Sequence, residues 1–358
     1  MHLVASLAAH GWHPAAWRVT GKAGFDGVAS FRTMARTAER GGLDAILLGL
    51  PAVSMAQHSR SVDSLHLDPL PLLGAMIAAT RHIGLCGYWP ADIAEPYHVA
   101  RVFATLDHLA GGRTGWIAGL AGAGELAQRF QRLDLPTSGA DADARLVELI
   151  DVARQLWDSW EDRGFVVDQS TGTFADPEKV HPIDHAGRFF TVRGPLNVPR
   201  PVQGQPVILY RDRPSAPAVP GVEVVLSESA TMAEAKARRG AWQAARFVVR
   251  VMPILAESEA AAQKRAADLD VLVSFAGKSA RRFVGTPQQF AAWMAEWYAA
   301  GACDGFDILP AVSTIDLDLV VDAVVPLLRK NGLRPAGYGG RMLRDLLGLQ
   351  RAVSRFAA

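Results

Sequence analysis

Arg211 and Arg213 flank Asp212 in the stretch Leu209 to Val225, LYRDRPSAPAVPGVEVV. Two guanidiniums just past an apolar run can form charge-assisted bonds to a phosphate, or they can close a salt-bridged turn on Asp212. A glycine-rich stretch, GLAGAGE from Gly119 to Glu125, could open a helix whose N-terminus takes an anion, although Glu125 would repel a dianion. His181 and His185 in HPIDH lack the carboxylate or cysteine companions of a zinc site, so both read as structural and no metal is expected. Serine-hydrolase, P-loop and zinc-protease patterns do not occur. Two cysteines, Cys86 and Cys303, in 358 residues suit buried free thiols in a reducing, cytoplasmic setting.

These residues need elements to position them, and the elements are legible as alternating short apolar runs and longer amphipathic ones. Eight runs read as strands: Leu3–Ala9, Asp44–Leu50, His82–Trp89, Thr114–Leu120, Pro206–Arg211, Val222–Ser227, Phe247–Leu255 and Gly305–Pro310. AILLGL and PVILY are almost continuously apolar, as parallel strands covered on both faces should be. Helices are expected over Phe31–Arg40, Tyr97–Leu109, Ala142–Trp160, Pro287–Ala300 and Leu317–Arg329. Eight parallel strands with helical returns mean a TIM (β/α)8 barrel, read as a single domain over 1–358. Gly164 to Val198 is turn-rich and alternating, so it reads as a hairpin excursion beside the barrel. Pro214, Pro217 and Pro220 leave no room for a helix between the fifth and sixth strands. The opening MHLVASLAAHGW has no basic start and too short an apolar run for a secretion signal, so it reads as the first strand.

Composition narrows the partners. At 49% hydrophobic and 20% charged the chain can bury a large core. A net charge of +1 gathers neither nucleic acid nor an anionic membrane, and no run is long enough to span a bilayer.

Leu156 to Leu209, LWDSWEDRGFVVDQSTGTFADPEKVHPIDHAGRFFTVRGPLNVPRPVQGQPVIL, resembles the flavin-dependent monooxygenases of the bacterial-luciferase superfamily. The likeness is to the branch with the nitrilotriacetate, EDTA and dibenzothiophene-sulfone monooxygenases. It recurs in HPAAWR (His13 to Arg18), in Leu67 to Leu85, in EPYHVARVFATLDHLAGGRTGW (Glu95 to Trp116), in Gly285 to Pro310 and around Leu343 to Leu349.

The resemblance implies a luciferase-like barrel that takes reduced FMN from a separate flavin reductase and oxidises a small organic substrate with dioxygen, often as a homo-oligomer. It places His13 near the flavin's reactive edge, where a histidine can handle a proton, and puts Gly49, Tyr88 and Ile117 on the cofactor side, with Arg211 and Arg213 as candidates of their own for its phosphate. The departures fall in the same segments. CGYWPADIA (Cys86 to Ala94) stands where the family has small hydroxyl residues, with Tyr88, Pro90 and Ala91 in place of Thr, Ser and Thr. Ile117 to Ala121 replaces the family's Asn-x-Val-Thr-Ser, and LPTSGADADARL (Leu135 to Leu146) has neither the His nor the Tyr of its His-x-x-Arg-Tyr. The phosphate-cradling loop after the fifth strand is replaced by the proline-rich Leu209–Val225. Ala256 to Val284 has room for a helix and a short link where the family carries a long lid. A second reading therefore stands beside the monooxygenase: a degenerate paralogue with weak or no flavin binding, serving as a partner subunit or small-ligand binder.

Overall fold

The computed structural model describes residues 1–20, 27–49, 67–120, 135–136, 139–213, 216–242, 245–273 and 281–356. The chain opens with β1 (His2–Ser6), the short helix α1 (Ala16–Thr20), α2 (Val28–Arg40), β2 (Ala45–Leu48), α3 (Pro69–Ile77) and β3 (Gly84–Pro90). It continues through α4 (Pro96–Ala110), β4 (Thr114–Gly119) and the long α5 (Gly139–Asp158). Two hairpins follow, β5 (Phe165–Asp168) with β6 (Thr173–Ala175) and β7 (His185–Ala186) with β8 (Thr191–Val192). The remaining elements are β9 (Val207–Arg211), β10 (Val224–Ser227), α6 (Met232–Gly240), β11 (Arg246–Leu255), α7 (Glu259–Leu272), β12 (Arg281–Gly285), α8 (Pro287–Ala299), β13 (Gly305–Ile308), α9 (Ser313–Leu319), α10 (Val325–Lys330) and α11 (Leu343–Leu346).

Eight strands close on themselves in the order β1, β2, β3, β4, β9, β10, β11, β13 and back to β1, with every pairing parallel. All eight expected strands are present. The eight-stranded parallel barrel and its hairpin excursion are as expected, and the described residues between β9 and β10 contain no helix. One strand goes beyond the sequence reading. β11 pairs with β13 through Val248–Val251 and then with β12 through Val251–Leu255, so the shortened segment after it holds a helix and a ninth parallel strand. RRFVG gave little sign of this, because two arginines open a run of only five residues.

Period-two alternation sorts the barrel side chains. Val4, Ala45, Leu47, Cys86, Ile117, Val207, Leu209, Val224, Leu226 and Val248 form one buried cluster inside the barrel. Their neighbours Leu3, Ile46, Leu85, Trp116, Ile208, Val225, Phe247 and Phe306 face outward and pack with helix residues. Leu343 and Leu347 join the interior cluster, and Leu343 N–H bonds Gly112 O at 3.0 Å. The C-terminal segment therefore plugs the end where the strands begin, and chemistry is left to the opposite mouth. Arg344 fixes the plug: it is buried, pairs with both oxygens of Glu223 and bonds Gln205 O at 3.0 and 2.9 Å.

The WMAEWY stretch of α8, Trp293 to Tyr298, turns Met294 and Trp297 into the core and leaves Glu296 and Tyr298 exposed. Trp293 lies 5.0 Å from Trp297 and 5.2 Å from Phe306, ring centre to ring centre, and Trp297 is buried. Thr286 caps α8 through a reciprocal bond pair with Gln289, with Pro287 in the first turn. Among the described residues no helix is long and apolar enough to cross a membrane.

Close strand approach makes one stability prediction. A Cβ at Gly305 would lie 2.1 Å from His2 O, a backbone atom that cannot rotate away. Gly305→Ala is expected to destabilise the fold by about 1–3 kcal/mol, the cost of forced repacking. Urea unfolding at an unchanged midpoint would show that the β1–β13 seam has slack.

Candidate functional site

The mouth of the barrel, where the strands end, is built from charge rather than from open surface. Arg250 sits in the middle of β11 and Asp307 in β13, both fully buried inside apolar runs. A charge in such a place must be paired. Arg250 Nε donates to Asp307 Oδ2 at 3.0 Å, and Ser6 Oγ donates to the same oxygen at 2.8 Å. Arg250 Nη1 donates to Glu228 Oε1 at 2.9 Å, and Arg211 reaches that oxygen through Nε at 2.8 Å and Nη2 at 2.6 Å. The result is a continuous chain across five neighbouring strands: Arg211, Glu228, Arg250, Asp307 and Ser6.

Aromatic walls enclose the chain. The Arg250 guanidinium lies 5.2 Å over the Trp12 ring, whose Nε1 bonds Ser6 O at 2.7 Å. Tyr88 packs at the end of β3, with its hydroxyl 3.5 Å from Gly119 O. Burial and Asp92 push the Tyr88 hydroxyl pKa up, against the nearby Arg211. Burial and Arg250 push the Arg211 guanidinium pKa down, against Glu228. Burial pushes the Asp307 carboxyl up, opposed by Arg250 and Ser6. Arg250 Nη2 and Asp307 Oδ1 remain buried without a protein hydrogen-bond partner.

The sequence-selected residues fall in three places. Arg211 belongs to the mouth chain, with Tyr88 beside it; Ile117 is fully buried in the barrel interior below. Gly49 ends β2 at φ +77, a conformation natural to glycine, and a Cβ there would meet the Pro69 ring at 2.7 Å and Tyr88 Cβ at 3.4 Å. Arg213 turns away to pair with Asp143 on α5 and to donate to the Tyr210 hydroxyl at 2.9 Å. His13 lies elsewhere, next to a separate cluster of Ala15, Ala16, Met252, Ile254 and Leu269. Its Nδ1 accepts Ala15 N–H at 3.1 Å, which leaves the Nε2 proton for Asp270 at 3.2 Å. Arg282 Nη1, on β12, in turn donates to both oxygens of Asp270, at 3.0 and 2.8 Å. Burial pushes the Asp270 carboxyl up, but the bonds from Arg282 and His13 outweigh it and hold its pKa low.

His181 and His185 pair with Glu161 at 2.7 Å and Glu148 at 3.2 Å respectively. No metal-binding group of three or more His, Cys, Asp or Glu occurs among the described residues. Both cysteines are buried free thiols; burial raises Cys303 to about 12 and pushes Cys86 up further. His58, His66 and the glycine-rich residues 121–125 lie outside the described residues.

The luciferase-like monooxygenase family model matches residues 8–210. The chain belongs to that family. It is 32% identical to N-acetyl-S-(2-succino)cysteine monooxygenase of Bacillus subtilis over 432 aligned positions, covering 98% of this chain and 97% of the relative. It is likewise 32% identical to nitrilotriacetate monooxygenase component A of Aminobacter aminovorans, covering 91% of each. Among solved structures, EDTA monooxygenase from Chelativorans superposes with a TM-score of 0.82 at 25% identity, covering 98% of both chains. An alignment of 432 positions against 358 residues means the Bacillus relative carries segments this luciferase-like chain lacks.

The family cofactor implied by the sequence is FMN, and the described residues can be tested for fit at both of its ends. A phosphate needs inward N–H donors. The link after β9 instead turns acceptors toward α6: Arg213 O and Ala216 O accept from Arg238 Nη2 at 2.9 and 2.8 Å, and Asp212 takes both Arg238 Nε and Nη2 at 2.7 Å. That loop is a cradle for a cation, and Arg238 fills it. At the strand ends, Tyr88 and the Arg211–Glu228–Arg250 chain occupy the described part of the mouth, and opening the chain to admit a flat heterocycle would strip paired charges of their partners. These residues do not fit FMN. A separate groove of about 490 Å³, lined by Val147, Ile150, Arg154, Pro220 and Gly221, lies outside the barrel against α5, on the side where no helix links β9 to β10.

Reasoning from the sequence missed Glu228, Arg238, Arg250 and Asp307. Two had a signal: Arg250 in FVVRVMPIL and Asp307 in GFDILP are charges inside strands otherwise fit for a core.

Proposed function

We propose that this chain is a flavin-free luciferase-like barrel whose mouth takes a small ligand directly, in place of a cofactor. The ion-pair chain Arg211–Glu228–Arg250–Asp307 at the strand ends carries this reading. Polar side chains near the strand ends, where TIM barrels build their sites, support a small ligand, and the Arg238-filled loop after β9 supports the absence of a phosphate there. Relatives in the family include two chains that are named as subunits of one activity, the pristinamycin IIA synthase of Streptomyces pristinaespiralis. One of the two is 41% identical over 204 residues, and the other is 30% identical over 421. Service beside a second chain is therefore consistent with a barrel that performs no oxygen chemistry of its own.

The second reading is the family activity itself: a monooxygenase given reduced FMN by a separate reductase. Identity of 32% over 98% of the chain favours it. The two readings part on a simple mixing experiment. When photoreduced FMN meets oxygen in a stopped-flow cell, a flavin-free barrel leaves the reoxidation trace as it is in buffer. A trace that changes in proportion to added protein would favour the monooxygenase.

A further inference from the structure

Resting on that reading, we propose that Arg211 and Arg250 form a clamp for a small carboxylate and that Glu228 of the same chain is its resident ligand. Arg211 Nε and Arg250 Nη1 both donate to the single oxygen Glu228 Oε1, at 2.8 and 2.9 Å, and Arg211 Nη2 lies 2.6 Å from the same oxygen. Paired guanidiniums around one carboxylate are also the arrangement that proteins use to recognise carboxylates in ligands.

The clamp can be reached from outside. Glu228 is the first residue past β10, in the loop at the mouth, and its side chain is 20% exposed, that of Arg211 27%. Arg250 and Asp307 lie beneath at 0%. An incoming carboxylate would therefore meet Arg211 first and displace Glu228 into solvent, one carboxylate replacing another with no change of charge in the buried layer. Asp307 keeps Arg250 paired throughout. Trp12 and Tyr88 supply flat apolar walls beside the exchange. The ligand class is thus a small molecule with at least one carboxylate and a short apolar body.

The test uses the full chain with succinate as the probe, and sodium chloride at matched ionic strength as the control. Glu228→Gln removes the resident charge and keeps the shape. It is expected to bind succinate about tenfold or more tightly than wild type in calorimetry, and succinate is expected to restore melting temperature that the substitution costs. Adding Arg211→Ala to it should abolish the gain. Equal affinity in wild type and a folded Glu228→Gln protein, or a gain that survives Arg211→Ala, overturns the clamp. Should Glu228→Gln not fold, the comparison is wild type against Arg211→Ala: a succinate signal lost in the variant supports the clamp, and none in wild type overturns it. Saturable FMN binding by wild type overturns the flavin-free reading, whereas a protein indifferent to both flavin and succinate overturns the clamp alone.

Discussion

Replacing Arg250 with Ala is expected to lower the unfolding free energy by about 3–5 kcal/mol, the usual cost of leaving a buried charge without its partner. Asp307 would keep only Ser6 as a donor to Oδ2, in a layer with no access to water, and Glu228 would lose one of its two arginines. The Trp12 ring would also lose its cation. The loss comes from an orphaned charge more than from the pair's net worth, so a second variant separates the two. Changing Arg250 and Asp307 together to Leu should cost much less than the sum of the single changes, because no charge is then stranded. Guanidinium unfolding curves measure both. A loss under about 1 kcal/mol for Arg250→Ala, within the range of an exposed pair, would mean that the mouth is wetter and looser than described.

The barrel was legible because parallel strands covered on both faces must be apolar, and this chain keeps them so. Errors lie at the ends: the first strand was expected to run to Ala9, but β1 ends at Ser6, where the chain leaves the sheet after Leu7 N–H bonds Leu47 O at 3.0 Å. The missing helix between β9 and β10 was legible for a different reason, since proline cannot supply the N–H groups a helix needs. β12 was not legible, because its pairing depends on β11 running on past the barrel.

The candidate site divides in the same way. Arg211 was visible as an arginine at a strand end, but what it binds was not, because Glu228 lies 17 residues further on. Arg250 reaches Glu228 over 22 residues and Asp307 over 57. Such partners are set by barrel closure, and no local pattern announces them. Arg238 lies on a well-capped helix with no local sequence sign of a partner; its bonds to Asp212, Arg213 O and Ala216 O exist only because the link after β9 folds over it.

Calorimetric titration of FMN into the purified protein, with nitrilotriacetate monooxygenase component A as a parallel reference, tests the flavin-free mouth most directly. Each hydrogen bond to a charged group contributes about 1.5–3 kcal/mol. On the proposed reading, in which Arg238 takes the phosphate seat and Tyr88 and the ion-pair chain take the ring position, two or three such bonds are lost. At about 1.4 kcal/mol per tenfold, binding should be about a hundredfold or more weaker than in the reference, without saturation where the reference saturates. An affinity within a few-fold of the reference would contradict it and return the chain to the working monooxygenases.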